Sequence, residues 1–283
     1  MTEQKLVTPA QNTWCPGCGN FVIQFALRDA LRAAIERGTD PDSIVLVTGI
    51  GCHAKMADYL AVNSFYAIHG RTVPVATGIK MANPDLSVIC CAGDGDAYAE
   101  GLDHLVFAAK RNSDITVIVH NNRVYGLTTG QYTPTSPYGF RGRSTPAGTV
   151  EPPLNPLALM LSSGATFVAR GCTRRKKDLE GIFSEAMEHR GFAFVDVLQV
   201  CATYFNAADV YDRFVYPLEG HDTGDFAAAF RKAREWDYTS EGPIATGIFY
   251  RASRPTLEEM MKPGSRAGKV PAETIAKILE ARK

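Results

Sequence analysis

Neither sign of charge predominates in this sequence: lysine plus arginine and aspartate plus glutamate each number 30, in a chain of 283 residues. Without a long-range field of one sign, nothing gathers nucleic acid or an anionic membrane surface, so neither is expected as a partner. No apolar run is long enough to span a bilayer, and the opening MTEQKLVTPAQNTW has neither an apolar signal core nor an arginine-rich amphipathic pattern. A cytoplasmic location is the expectation. Cysteine is scarce: seven in a chain this long, an odd number, does not make a secreted disulfide framework and leaves the thiols as core residues or metal ligands in a reducing compartment. Internal repeats and low-complexity tracts are also missing. What is present is a 45% hydrophobic composition, normal for a buried core, and enough length for one large domain or two ordinary ones.

Five apolar or β-branched runs read as strands: 43–51 (SIVLVTGIG), 86–96 (LSVICCAGDGD), 114–122 (DITVIVHNN), 165–172 (ATFVARGC) and 193–201 (AFVDVLQVC). They are continuous rather than alternating, the pattern of strands buried on both faces. Helical patterns lie between them at 20–36, 98–112 and 176–190. Strands separated by helices predict an α/β fold, a parallel sheet with helices on both faces. The aperiodic stretch from about Gly130 to Pro156, rich in Tyr, Thr, Ser, Pro and Gly, reads as a long ordered loop, and loops of that length are commonly functional. Beyond Cys201 the pattern loosens into a helix at 225–236, a strand at 243–251 and a closing helix at 270–283. The expected organisation is therefore one α/β domain over 1–210 and a C-terminal extension over 211–283, packed on the same domain or on a partner.

In CCAGDGDAYAEG a glycine flanks Asp94 on each side at the end of a buried strand, where backbone must come close to a ligand. The spacing from Gly95 to HNNRVYG accommodates one helix and one strand, which puts Asp94 and Asn122 at the same end of adjacent parallel strands, facing the crevice where open α/β sheets bind ligands. An acid, an amide oxygen and a nearby carbonyl are hard oxygen ligands suited to Mg²⁺ carrying a diphosphate. The competing explanation, an Asp cap beside an Asn-rich turn, would prevail for either motif alone. Together the two motifs resemble the diphosphate-binding site of thiamine-diphosphate enzymes. That resemblance implies Mg²⁺ ligation by Asp94, Asn122 and the Val124 carbonyl, with Gly95, Asp96, Gly126 and Leu127 along the cofactor.

The other motif is NTWCPGCGN, residues 12–20. A C-x-x-C can be a redox pair, half of a zinc site or half of an iron–sulfur site. No strand precedes Trp14, as a thioredoxin-type pair would need, and structural zinc usually takes two close pairs where this chain has one. Cys90, Cys91 and Cys172 fall within strands and are explained by packing. Cys52 and Cys201 instead follow strand ends on the crevice side. With Cys15 and Cys18 they make four thiolates, the set a [4Fe–4S] cluster requires.

CPGCGN, GIGC, IHGRTVPVATGIKMANP, GDGD, NNRVYGLTTGQYTPT and LQVC, in that order over roughly residues 12–206, resemble the β subunit of 2-oxoacid:ferredoxin oxidoreductases, most of all those acting on 2-oxoglutarate. By position Cys15, Cys18, Cys52 and Cys201 match that family's cluster ligands. The resemblance further implies thiamine-diphosphate contacts from Ile50, Gly51, Cys52, His53, His69 and Gly93. His53 departs from the family's usual Ser, and Val200 and Ala202 flank the last cysteine where Pro is common. The implied reaction is oxidative decarboxylation of a 2-oxoacid with coenzyme A, electrons passing through one [4Fe–4S] cluster to ferredoxin. An α subunit would supply the pyrimidine-side carboxylate, in a dimer of αβ dimers. Lys55 and His69 are the candidate catalytic residues, Lys55 for the acid end of the substrate and His69 for the cofactor, with Arg71 a further cation nearby. Solvated surface positions are the ordinary alternative for such cations. Pyruvate as substrate, or a non-redox thiamine-diphosphate enzyme with zinc on its cysteines, are the competing readings.

Overall fold

The structure, a computed structural model, describes residues 6–261 and 272–281; the ends of the helix expected over 270–283 fall outside them. Eight strands, β1 (Ile44–Thr48), β2 (Asn63–Tyr66), β3 (Ser87–Gly93), β4 (Thr116–Asn121), β5 (Phe167–Cys172), β6 (Ala193–Leu198), β7 (Val215–Pro217) and β8 (Ile244–Arg251), form one sheet in the order β2-β1-β3-β4-β6-β5-β8-β7. The first six in that order are parallel, and β8 runs antiparallel to β5.

Ten α-helices accompany them among the described residues: α1 (Asn20–Glu36), α2 (Met56–Tyr59), α3 (Thr72–Ala82), α4 (Leu102–Arg111), α5 (Pro156–Ser162), α6 (Lys176–Glu188), α7 (Ala208–Phe214), α8 (Phe226–Ala233), α9 (Leu257–Met261) and α10 (Ala272–Glu280). On one face α1 and α6 pack Ile23, Leu27, Leu31, Leu179 and Phe183 against Leu46, Ile89, Cys91, Ile118 and Val195. On the other, α3, α4, α5 and α8 cover Val47, Cys90, Val117, Val119 and Phe194. Adjacent strand residues thus bury into opposite cores, which is why the runs are continuously apolar. None of the described helices is long and apolar enough to cross a membrane.

The strands stop earlier than their apolar runs because the chain turns off the ladder at one edge. Register pairs Thr48 with Cys91, Gly93 with His120 and Asn121 with Leu198, so β1, β3, β4 and β6 end side by side and deliver the segments after them to a common rim. Between Asn121 and Pro156 the chain forms no helix or regular strand, as expected for the long loop. The helix expected from Tyr98 begins at Leu102; before it, Asp96–Glu100 form a single π-helical turn, the kind of irregularity that gathers at ligand sites.

At the opposite rim Asn112 ends α4 in the left-handed conformation, φ 54°. Its buried amide donates to the carbonyls of Arg254 (3.0 Å) and Pro255 (3.2 Å) and accepts from Phe192 N (2.9 Å) and Thr166 Oγ1 (2.6 Å). Asn112→Ala removes that hub and strands buried partners on several segments, so urea unfolding should show a loss of about 2 kcal/mol.

Candidate active site

A cleft opens at the rim where β1, β3, β4 and β6 end. Its walls include Ile50, Gly51, Cys52, His53, His69, Gly93, Asp94, Gly95, Asn122, Val124, Gly126 and Leu127, nearly every residue expected to touch a cofactor or its cation. Two expected residues stand outside it. Asp96 does not line the cleft: its carboxylate accepts from Gly70 N (2.6 Å) and Thr72 Oγ1 (3.2 Å) and lies 3.4 Å from His53 Nε2 and 3.3 Å from His69 Nδ1. It sets the two histidines that do line the cleft. Lys55 ends the short 3₁₀ turn Cys52–Lys55, and its ammonium donates to Thr13 Oγ1 at 2.8 Å, beside the first cysteine segment rather than in the cleft wall.

Asp94 is only 2% exposed and accepts from Thr135 Oγ1 at 3.0 Å. Burial pushes its carboxyl up to about 7, against the lowering effect of Thr133 and Thr135. Asp96 experiences the same desolvation, but the His53 imidazole, the Gly70 N–H and His69 outweigh it and hold the carboxyl below the ordinary range. Asn122 Oδ1 accepts from Val124 N at 3.2 Å, an Asx-type turn. Gly95 is required here by close approach, since a Cβ on it would meet the Tyr125 ring at 2.1 Å.

The cysteines divide as their positions in the chain suggest. Cys90, Cys91 and Cys172 are buried in the cores. Cys15, Cys18, Cys52 and Cys201 meet at the rim: burial pushes the Cys52 thiol up to about 11, and Cys18, Cys201 and Cys15 all lie close enough to add to that rise. Burial likewise raises Cys18, with Cys201 and Cys15 contributing. A Cβ on Gly126, in the cleft wall, would lie 3.5 Å from Cys52 Sγ and 4.0 Å from Cys201 Sγ, so both thiols stand against this stretch of the wall. Among the described residues no three His, Cys, Asp or Glu side chains are drawn tightly enough together to hold a single metal ion. Trp14 secures the first pair. Its Nε1 donates to the Cys52 carbonyl at 2.7 Å, and its ring packs edge-on against Phe21 and Tyr59.

Sequence reasoning did not assign Asn20, His120, Tyr125, Thr128 or Gln199, which also line the cleft. His120 Nδ1 lies 2.8 Å from Asn20 Oδ1, and burial together with His53 holds His120 well below its ordinary pKa. A polar His ending the apolar run of β4 was the available signal. Asn20 Nδ2, His120 Nε2 and Gln199 Oε1 are buried without a hydrogen-bond partner, and all three residues line this one cleft. Buried polar atoms gathered that way are what a polar ligand satisfies.

Comparison with known proteins agrees with this geometry. Residues 49–197 match the family described as the C-terminal TPP-binding domain of thiamine pyrophosphate enzymes, and residues 201–265 the C-terminal region of the pyruvate ferredoxin oxidoreductase beta subunit. The chain is 43% identical over 256 residues to a 2-oxoacid:ferredoxin oxidoreductase subunit beta of Saccharolobus solfataricus, covering 85% of this chain and 82% of that one. It is 37% identical to the 2-oxoglutarate synthase subunit KorB of Methanothermobacter marburgensis, over 86% and 84% of the two. Among solved structures, a 2-oxoglutarate:ferredoxin oxidoreductase from Magnetococcus marinus, with 2-oxoglutarate, coenzyme A and succinyl-CoA bound, superposes with a TM-score of 0.86 at 36% identity, covering 96% of this chain and 94% of its own.

Proposed function

Since the chain belongs to the β subunits of 2-oxoacid:ferredoxin oxidoreductases, we propose that with an α subunit it oxidatively decarboxylates 2-oxoglutarate, forming an acyl-coenzyme A and CO₂ and reducing ferredoxin. The observation that carries this reading is the shared rim, where the cleft with Asp94 and Asn122 backs directly onto Cys52 and Cys201. A diphosphate site alone would serve a simple decarboxylase, and four thiols alone an electron carrier. The relatives named for 2-oxoglutarate, and the solved enzyme carrying it, favour that substrate.

When bound, thiamine diphosphate supplies the carbon nucleophile for the oxo carbon, and a [4Fe–4S] cluster supplies a one-electron acceptor. The residues present fit both groups: three buried polar atoms without partners, on Asn20, His120 and Gln199, face the cleft, and four thiols with no disulfide stand at its rim. Asp94, the Asn122 amide oxygen and the Val124 carbonyl would hold Mg²⁺ as hard oxygen ligands. Gly93 and Gly95 leave the backbone open to the diphosphate. Asp96 lies beside both histidines, and with Asp96 and Glu100 each 3.3 Å from His69 Nδ1 the two carboxylates turn that edge of the ring toward themselves. Cys15, Cys18, Cys52 and Cys201 would hold the cluster.

Purified without oxygen together with its α partner, as a dimer of αβ dimers, the chain is expected to carry about four iron atoms and to reduce ferredoxin with 2-oxoglutarate and coenzyme A. A colourless preparation with stoichiometric zinc, or CO₂ release without ferredoxin reduction, would overturn the assignment. The substrate has its own test in Lys55, which we assign to the distal carboxylate. Lys55→Met should raise KM on the order of tenfold for 2-oxoglutarate and leave a 2-oxo monoacid unaffected, because only the former has a second carboxylate for a charge-assisted bond. Equal changes for both would refute that role.

A further inference from the structure

Arg123 stands between Asn122 and Val124 and bears two costs at once. Its backbone is left-handed, φ 62°, and its side chain is 4% exposed. A non-glycine residue in that region gives up about 1–2 kcal/mol, and a guanidinium removed from water requires compensation from every donor it has. Compensation comes from a cage. Nε donates to the Thr135 carbonyl at 2.8 Å, a terminal nitrogen donates to the Tyr238 carbonyl, and the guanidinium carbon lies 5.3, 5.3 and 5.8 Å from the ring centroids of Phe205, Trp236 and Tyr238.

The backbone of the same residue is held from the long loop as well, by Ser136 Oγ donating to the Arg123 carbonyl at 2.7 Å. Thr135, whose carbonyl receives the guanidinium, places its hydroxyl 3.0 Å from Asp94 Oδ2 and 2.8 Å from Asn121 Oδ1. A single residue thus fixes both halves of the cation site. It holds the turn that presents Asn122 and Val124, and it anchors the threonine that meets Asp94.

We propose that Arg123 is a positioning residue for the cofactor's cation: it touches neither ion nor diphosphate but sets the Asn122–Val124 turn against Asp94. This rests on the function proposed above. A flexible lysine could not reproduce the planar fork that spans two carbonyls, whereas glycine would adopt the left-handed backbone without strain but lack the clamp.

The test uses the assembled αβ enzyme stripped of cofactor by chelation, titrated calorimetrically with Mg²⁺ at fixed thiamine diphosphate. For Arg123→Gly the midpoint should move to 10- to 100-fold higher Mg²⁺, and for Arg123→Lys to an intermediate value. A merely structural role would reduce the folded fraction, lowering the amplitude of the isotherm while leaving its midpoint in place. A midpoint within about twofold of the unmodified enzyme, in whichever variant assembles, overturns the proposal. Unmodified enzyme that fails to bind thiamine diphosphate would instead refute the assigned function.

Discussion

Asp94→Ala in the assembled enzyme should weaken Mg²⁺-dependent thiamine-diphosphate binding by on the order of a hundredfold or more, and abolish turnover at ordinary cofactor concentrations. The side chain sits at the end of β3 in a nearly solvent-free position, so no water-exposed acid can replace it. Its removal should not harm the cofactor-free fold, because burial already disfavours the charged carboxylate there. The measurement is therefore paired: the thermal midpoint of the cofactor-free protein should be preserved or raised, while the upward shift on adding Mg²⁺ and thiamine diphosphate disappears. An unchanged affinity would remove Asp94 from the cation site.

The second large effect concerns the thiols. Cys201→Ser is expected to strip or degrade the cluster, seen as loss of iron and of the broad visible absorption of iron–thiolate bonds, while far-ultraviolet circular dichroism of the protein stays native. Cys201 follows β6 at the rim and is not among the residues packed in the three cores. Cys90→Ser should do the reverse. That thiol is wholly enclosed between β3 and the α3–α4 face, so a hydroxyl there costs about 1–3 kcal/mol of stability and leaves iron intact. If Cys201→Ser retained the full spectrum, this residue would not be a ligand.

Much of this architecture was legible because burial on two faces writes an unbroken apolar run, as Cys90 and Cys91 illustrate by packing into opposite cores. Strand β2 writes no such run: Asn63–Tyr66 is exposed along its whole length at the sheet edge. Helix α3 is obscured by Pro74 and Gly78, yet a proline in the first turn gives up no helical hydrogen bond. The antiparallel direction of β8 is invisible locally, since IATGIFYR reads the same to its neighbours from either end. At the site, motif spacing predicted which segments reach the rim but not where side chains turn once there. Asp96 is next to Gly95 in sequence, but its carboxylate is taken up by Gly70 and Thr72 from a different element. The Asn20–His120 contact joins residues 100 apart, a pairing only the closed sheet creates.

The indole of Trp14 clasping the Cys52 carbonyl has a bearing on biogenesis. If Cys15, Cys18, Cys52 and Cys201 hold iron as proposed, the first ligands would leave the ribosome long before the last, and the clasp cannot close until β1 and the turn after it are in place. Metal loading would then belong after translation, onto a finished scaffold. A donor protein would meet Cys15 first, the exposed member of the quartet.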